Sequence, residues 1–334
     1  MIKKNNLAAL ILKPEAFYML TPWKKFRPVL KDKPKGLTGR RYKSALVYPA
    51  PDQVVKTGVR LETLEDPALL YQHLLRIKKS YHLHRLKTTL VLPEDHFVLR
   101  TLEIPQRVEK YLLKYLKTEH MTDSIVPLQA PLFTAHVLER RGENVRVLIW
   151  AVEEHVLEQY VTVFEALNWQ ISGFLHPGMA LGSWLGEGDT GLIMIVFVQV
   201  KGVSFYIYEK RWLTFSRFFP WEPDFSLEEA EPVIRPDQVA RISDYMVRLE
   251  RFTRTTLHPE GLSLEKVYVF MEKSGMEEAG ISIRDELSNQ FGDISIEILA
   301  LKWPAKWPKQ DALGLYLHQN VADLYVAAGA LLAE

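Results

Sequence analysis

Few residues in this 334-residue chain have the types and spacing that chemistry needs. His82 and His84 lie two apart in Tyr81-His82-Leu83-His84-Arg85, so on a strand both would project from one face, as paired metal ligands do. No third ligand is near in sequence and the neighbours are basic, which disfavours a cation. The pair reads as surface histidines. Glu153-Glu154-His155 sets acids beside a base, but it opens a helical pattern, where acids oppose the positive end of the helix dipole. Gly186-Glu187-Gly188-Asp189-Thr190-Gly191 has the glycines of a phosphate-cradling turn. It carries two acids and no lysine, so it reads as a hinge between two halves. There is no cysteine, hence no thiol chemistry or disulfide, and no Gly-x-Ser-x-Gly, Walker A, HExxH or Rossmann fingerprint. These patterns predict no catalytic residue and no metal site.

A chain of this length has room for two lobes, since single cores stop growing near about 250–300 residues. Hydrophobic content of 47% with 25% charge is ordinary globular composition. Basic and acidic residues balance, 42 against 41, so no global charge draws the chain to nucleic acid or to an anionic membrane. The N-terminal third is locally basic from Lys24 to Lys43 and reads as a solvated loop. The longest apolar run, near Leu192–Val198, is far short of the roughly 20 residues of a membrane helix. The first residues lack the apolar core and cleavage site of a secretory signal. A cytoplasmic location without a membrane span is expected.

Periodicity supplies the elements. Leu7–Leu12 and Ala16–Leu20 form a hairpin-like start, followed by a strand at Ser44–Tyr48. Asp66 caps a helix over 66–80 whose inward face is Leu69, Leu70, His73, Leu74 and Ile77. Strands follow at Thr88–Leu92 and Phe97–Glu103. Arg107–His120 reads as one helix with Val108, Tyr111, Leu112, Tyr115 and Leu116 as its apolar stripe. A hairpin over Phe133–Glu139 and Val145–Val152 precedes a helix at Glu153–Leu167, a strand to Phe174 and a short helix at Gly178–Leu185. Leu192–Val200, Val203–Tyr208 and Trp212–Phe218 read as a three-stranded meander, its first strand buried on both faces. A long helix over Pro236–Thr255, a strand at Val267–Met271, a helix at Gly280–Phe291, a strand at Ser295–Leu299 and a helical Leu313–Leu332 complete the chain. No repeat at a period of 20–50 residues is visible.

Several of these segments carry a family resemblance. Val91-Leu92-Pro93-Glu94-Asp95-His96-Phe97-Val98-Leu99-Arg100-Thr101-Leu102-Glu103-Ile104-Pro105 resembles a segment of the type IV pilus assembly protein PilM: strand, loop, strand ending in Ile-Pro, then helix. The Pro127 region, the hairpin ending in Val147-Leu148-Ile149-Trp150-Ala151-Val152 and the helix after it continue the likeness. So do the mid-chain meander and the closing Tyr325-Val326-Ala327-Ala328-Gly329-Ala330-Leu331. The resemblance spans roughly residues 85 to 334, and the cytoplasmic domain of the type II secretion protein GspL is its competitor. It implies an α/β, two-lobed actin-like (RNase H-like) fold with a small inserted subdomain of the kind in PilM and its cell-division relative FtsA. The implied division is 1–96 for the first part of the first lobe, 97–157 for the insertion, 158–188 for the return and 189–334 for the second lobe.

The resemblance also says where a nucleotide site should be, and this chain departs from it there. The first phosphate turn falls at Lys13-Pro14-Glu15-Ala16, which has no glycine, and Pro14 removes an amide donor. Ile11 or Leu12 stands where the family has an aspartate. The second turn, Gln199 to Ser204, keeps Gly202 and Ser204 without an aspartate. The adenosine segment, Phe270-Met271-Glu272-Lys273-Ser274-Gly275, keeps Ser274 and Gly275 but puts Glu272 and Lys273 where small residues belong. Gly202, Ser204, Ser274 and Gly275 are thus the residual cofactor-binding positions. No cofactor is expected, and ATP with Mg²⁺ is the disfavoured alternative.

Two function classes follow. One is a scaffold of a pilus or secretion-like machine, peripheral at the inner membrane through its partners, that holds the N-terminal tail of a PilN-like membrane protein and contacts other inner-membrane components. By the resemblance, the tail lies near the inserted subdomain, with Phe97, Leu99, Arg100, Tyr111, Tyr115 and Trp150 as candidates; an extended peptide needs such an apolar groove or a free strand edge. The other is an active actin-like ATPase or sugar-kinase-like enzyme. It needs an aspartate at a phosphate turn, and the nearby ones are Asp189 and Asp244.

Overall fold

Three strands open the chain: β1 (Leu7–Leu12), β2 (Ala16–Pro22) and β3 (Tyr42–Pro49), each antiparallel to the next. The structure, a computed structural model, describes residues 7–12, 16–22, 42–49, 66–80, 84–118, 126–185, 191–199, 202–221, 234–257, 261–272, 277–299 and Val326. They divide into two compact units that meet in sequence at Pro177 and Gly178.

In the first unit, α1 (Pro67–Ser80) starts where the Asp66 carboxylate accepts the Leu69 amide at 2.8 Å, with Pro67 in the first helical position. β4 (Lys87–Val91) then returns parallel to β1, as a crossover through a helix requires. The chain leaves this sheet for the insertion. A 3-10 turn at Glu94–His96 leads to β5 (Phe97–Pro105), a second 3-10 turn at Gln106–Tyr111, α2 (Leu112–Leu116), β6 (Pro131–Arg141) and β7 (Asn144–Glu153). These strands form their own antiparallel sheet in the order β5-β7-β6. α3 (Glu154–Ala166) and β8 (Gln170–Leu175) bring the chain back, completing the order β3-β2-β1-β4-β8. Leu70 and Leu74 of α1 share a core with Leu90 and Leu92 and with Val156, Tyr160, Val163 and Phe164 of α3. Lys78 Nζ ties the two helices by donating to the Leu167 carbonyl at 2.7 Å.

The second unit begins at Gly178 within α4 (Pro177–Gly182) and continues in the meander β9 (Leu192–Gln199), β10 (Gly202–Glu209) and β11 (Trp212–Pro220). Every residue from Leu192 to Val198 is buried, as the unbroken apolar run predicts. α5 (Pro236–Phe252) leads to β12 (Leu264–Met271), and α6 (Glu277–Gln290) to β13 (Ser295–Ile298), both strands parallel. The order is β11-β10-β9-β12-β13. Ile242, Met246 and Leu249 of α5 and Ile283 and Leu287 of α6 fill the core with the inward side chains of β9 and β10.

The two units therefore have one topology: three antiparallel strands, a helix, a parallel strand, a helix and a last parallel strand. Among the described residues only the first carries an insertion, between β4 and α3. This is the two-lobed actin-like (RNase H-like) plan with an inserted subdomain.

One sequence expectation is corrected. Arg107–His120 is not a single helix: it winds as a 3-10 turn to Tyr111, then as α-helix only to Leu116. Tyr111 is the junction, at φ −121° and ψ 23°, so it leaves the apolar stripe and is 62% exposed. The change from about 3.0 to 3.6 residues per turn breaks the phase on which a stripe depends.

Candidate partner-binding face and nucleotide-site positions

The inserted sheet has two faces, and strand alternation decides which side chains can act together. Opposite residues share a face, and β5 sets Phe97, Leu99 and Thr101 against Val152, Trp150 and Leu148 of β7. β6 adds Leu132, Thr134 and His136 to that side. The alternate residues Leu102, Ile104, Val145, Val147, Ile149, Phe133 and Ala135 lie on the other side. They are covered by Val108, Leu112, Tyr115 and Leu116.

The six candidates for tail binding thus divide. Phe97, Leu99 and Trp150 lie together on the first face, with Phe97 packed into the first unit's core, 5.3 Å between its ring centre and that of His176. Arg100 is exposed on the second face, where its Nη1 donates to the Leu99 carbonyl at 2.8 Å. Tyr115 packs under the helical segment and Tyr111 points out from it. No single groove can hold all six. Sequence reasoning missed Leu132, a 36% exposed apolar residue on the same face as Leu99 and Trp150. The alternation of Leu132 and Thr134 before the hairpin was the available signal. Near this face, burial holds His96 down to about 4 and the fully buried His176 down to about 3.

At the carboxyl ends of β9 and β12, where open α/β sheets bind ligands, the second unit uses its polar groups internally. Ser204 is buried, and its hydroxyl accepts from Gln199 Nε2 at 2.7 Å. The Trp221 indole donates to the Gln199 carbonyl at 3.1 Å. Gly202 lets β10 approach β11 closely: a Cβ there would run into the Phe219 carbonyl and lie 2.6 Å from the Phe218 ring. Glu272 is buried beyond β12, its amide donating to the Val198 carbonyl at 2.8 Å. Ser274, Gly275, the turn at Lys13-Pro14-Glu15 and Asp189 lie outside the described residues. Asp244 is exposed on α5.

The remaining chemical candidates do not converge. His84 is exposed and His82 lies outside the described residues. The Glu153 carboxylate accepts from the backbone amides of Gln129 and Ala130 at 3.1 and 2.8 Å, holding the entry to β6. His155 Nδ1 stands 3.7 Å from it at the surface. Among the described residues no three His, Asp or Glu side chains come together as a metal site would need.

No protein-family model matches the chain, and no curated protein matches it. Among solved structures it is similar to the PilM-PilN type IV pilus biogenesis complex, with a TM-score of 0.68 at 14% identity over 98% of this chain and 98% of that one. A Bacteroides thetaiotaomicron protein of actin-like ATPase fold and unknown function aligns at TM-score 0.46 and 10% identity, covering 98% and 99% of the two chains. The cytoplasmic domain of EpsL, from the type II secretion system of Vibrio cholerae, aligns at 0.45 and 10%, covering 98% and 95%. The likeness to PilM runs the length of the chain and, at 14% identity, shows a shared fold.

Proposed function

We propose that this chain is a scaffold of a type IV pilus or type II secretion-like assembly machine. It stays at the inner membrane through its partners and holds the N-terminal tail of a PilN-like membrane protein without turning over ATP. The observation that carries the reading is the first face of the inserted sheet, where Leu99, Leu132 and Trp150 form an apolar strip with Leu132 still open to solvent. A strip beside an edge strand suits an extended peptide, whose main chain adds to the sheet while alternate side chains enter the strip. The solved complex similar in fold contains PilN beside PilM, which supports this partner class. Against catalysis stand the engaged Ser204 hydroxyl, the crowded space at Gly202 and the buried Glu272, an acid where a phosphate or base would have to lie.

Calorimetric titration tests both halves. The N-terminal peptide of the PilN-like protein is expected to bind, and Leu132→Asp to weaken it by at least tenfold, since a carboxylate in an apolar contact costs more than about 1.4 kcal/mol. ATP·Mg²⁺ is expected to give no heat. Micromolar ATP binding would revive the ATPase reading, and a peptide that ignores the Leu132 change would move the partner elsewhere.

A further inference from the structure

The second face of the inserted sheet is capped by the segment Gln106–Leu116, whose inner side chains, Val108, Leu112, Tyr115 and Leu116, are accounted for by packing. Its outer side is not. Tyr111 is 62% and Leu113 50% exposed, the two highest exposures among the large apolar residues described. Arg107, Lys110, Lys114 and Lys117 are exposed around them. The one acid between Gln106 and Thr118 is Glu109, and Arg140 from β6 already pairs with it through two bonds of 3.1 and 2.5 Å. Among the described residues, none of the four cations forms an ion pair.

We propose that this outer side is a docking surface for an anionic lipid membrane, with Tyr111 and Leu113 entering the headgroup layer and the four cations facing its phosphates. Charge complementarity and side-chain type both favour lipid. Each lysine or arginine at an anionic surface strengthens binding by about five-fold, while a bulky aromatic and an aliphatic side chain supply the apolar part. Three of the four cations are lysines, which protein interfaces deplete in favour of arginine; their long stems let apolar carbons lie beside Leu113 while the ammonium groups stay in water. The surface lies on the sheet face opposite Leu99 and Trp150, so the proposal is independent of tail binding.

The test uses the whole chain and two vesicle types, pure phosphatidylcholine and a mixture with about a third phosphatidylglycerol. Sedimentation with the anionic vesicles at low salt is expected, with loss at high salt and none with the neutral ones. Changing Lys110, Lys114 and Lys117 together to Gln should weaken binding roughly a hundredfold, at about five-fold each. Because the chain has no cysteine, Leu113→Cys takes a polarity-sensitive dye at one site. Its emission should shift to the blue on the anionic vesicles, whereas a dye at Ser282→Cys on α6 should not respond. Binding that is equal on both vesicle types, that survives the triple change, or that leaves the Leu113 dye unmoved overturns the proposal. Failure to sediment together with salt-sensitive binding to polyglutamate would overturn it in favour of an acidic protein partner.

Discussion

His96 and His176 are buried, 5% and 0% exposed, beside the aromatic rings of Tyr160 and Phe97. Desolvation disfavours the imidazolium, so His96 charges only near about 4 and His176 near about 3, while in the unfolded chain both charge near 6.5. Between those values the unfolded state binds more protons. Stability is therefore full above pH 6.5 and declines as pH falls through this window toward 4 and 3. The loss should be on the order of 2 kcal/mol per histidine by pH 5, at about 1.4 kcal/mol per pH unit. Urea midpoints from pH 7 to pH 5 would show this fall, and His96→Gln should flatten part of it whatever it does to the stability at pH 7. An unchanged slope would mean that another group controls the acid limb.

Among the elements, the turn between β10 and β11 holds the clearest local conflict. Lys210 and Arg211 take φ of 48° and 72°, a two-residue hairpin turn in the left-handed region without glycine. That backbone matches the twist of the strands, but a Cβ at such φ costs roughly 1–2 kcal/mol per residue. Replacing the pair by Asn-Gly should raise the unfolding free energy by about 1–2 kcal/mol in urea. The flanking strands were legible from their runs of β-branched and aromatic residues, whereas which two residues make the turn, and its handedness, were not. The break at Tyr111 was equally hidden, because an apolar pattern of Val108, Leu112, Tyr115 and Leu116 reads the same whether or not the winding changes before Leu112.

At the scale of the molecule, two units of one topology raise the question of whether nucleotide still joins the behaviour of the chain. A ligand at about a hundred times its Kd adds about 2.7 kcal/mol to stability. ATP·Mg²⁺ at that excess over a micromolar site would raise Tm by several degrees, and no shift is expected. A clear rise would return the second reading, a working ATPase, ahead of the scaffold.

Much of this plan was present in the chain itself. Hydrophobic periodicity marked the meander, the helices over 66–80 and 236–255 and the hairpin around Gly142, because burial on a sheet or helix face imposes a local repeat that residues a few positions apart record. Pro14, Glu272 and the missing aspartates bore on phosphate chemistry only through the family resemblance, which placed them at the expected phosphate and adenosine segments. Which strands pair was not local. The parallel partner of β9, β12, lies more than 60 residues on, and the second lobe repeats a topology without repeating the residues, so no short period could disclose it. The division of Phe97, Leu99 and Trp150 from Tyr111 and Tyr115 also waited for the tertiary structure. Strand register chooses the face of each side chain, and only the packed sheet sets that register.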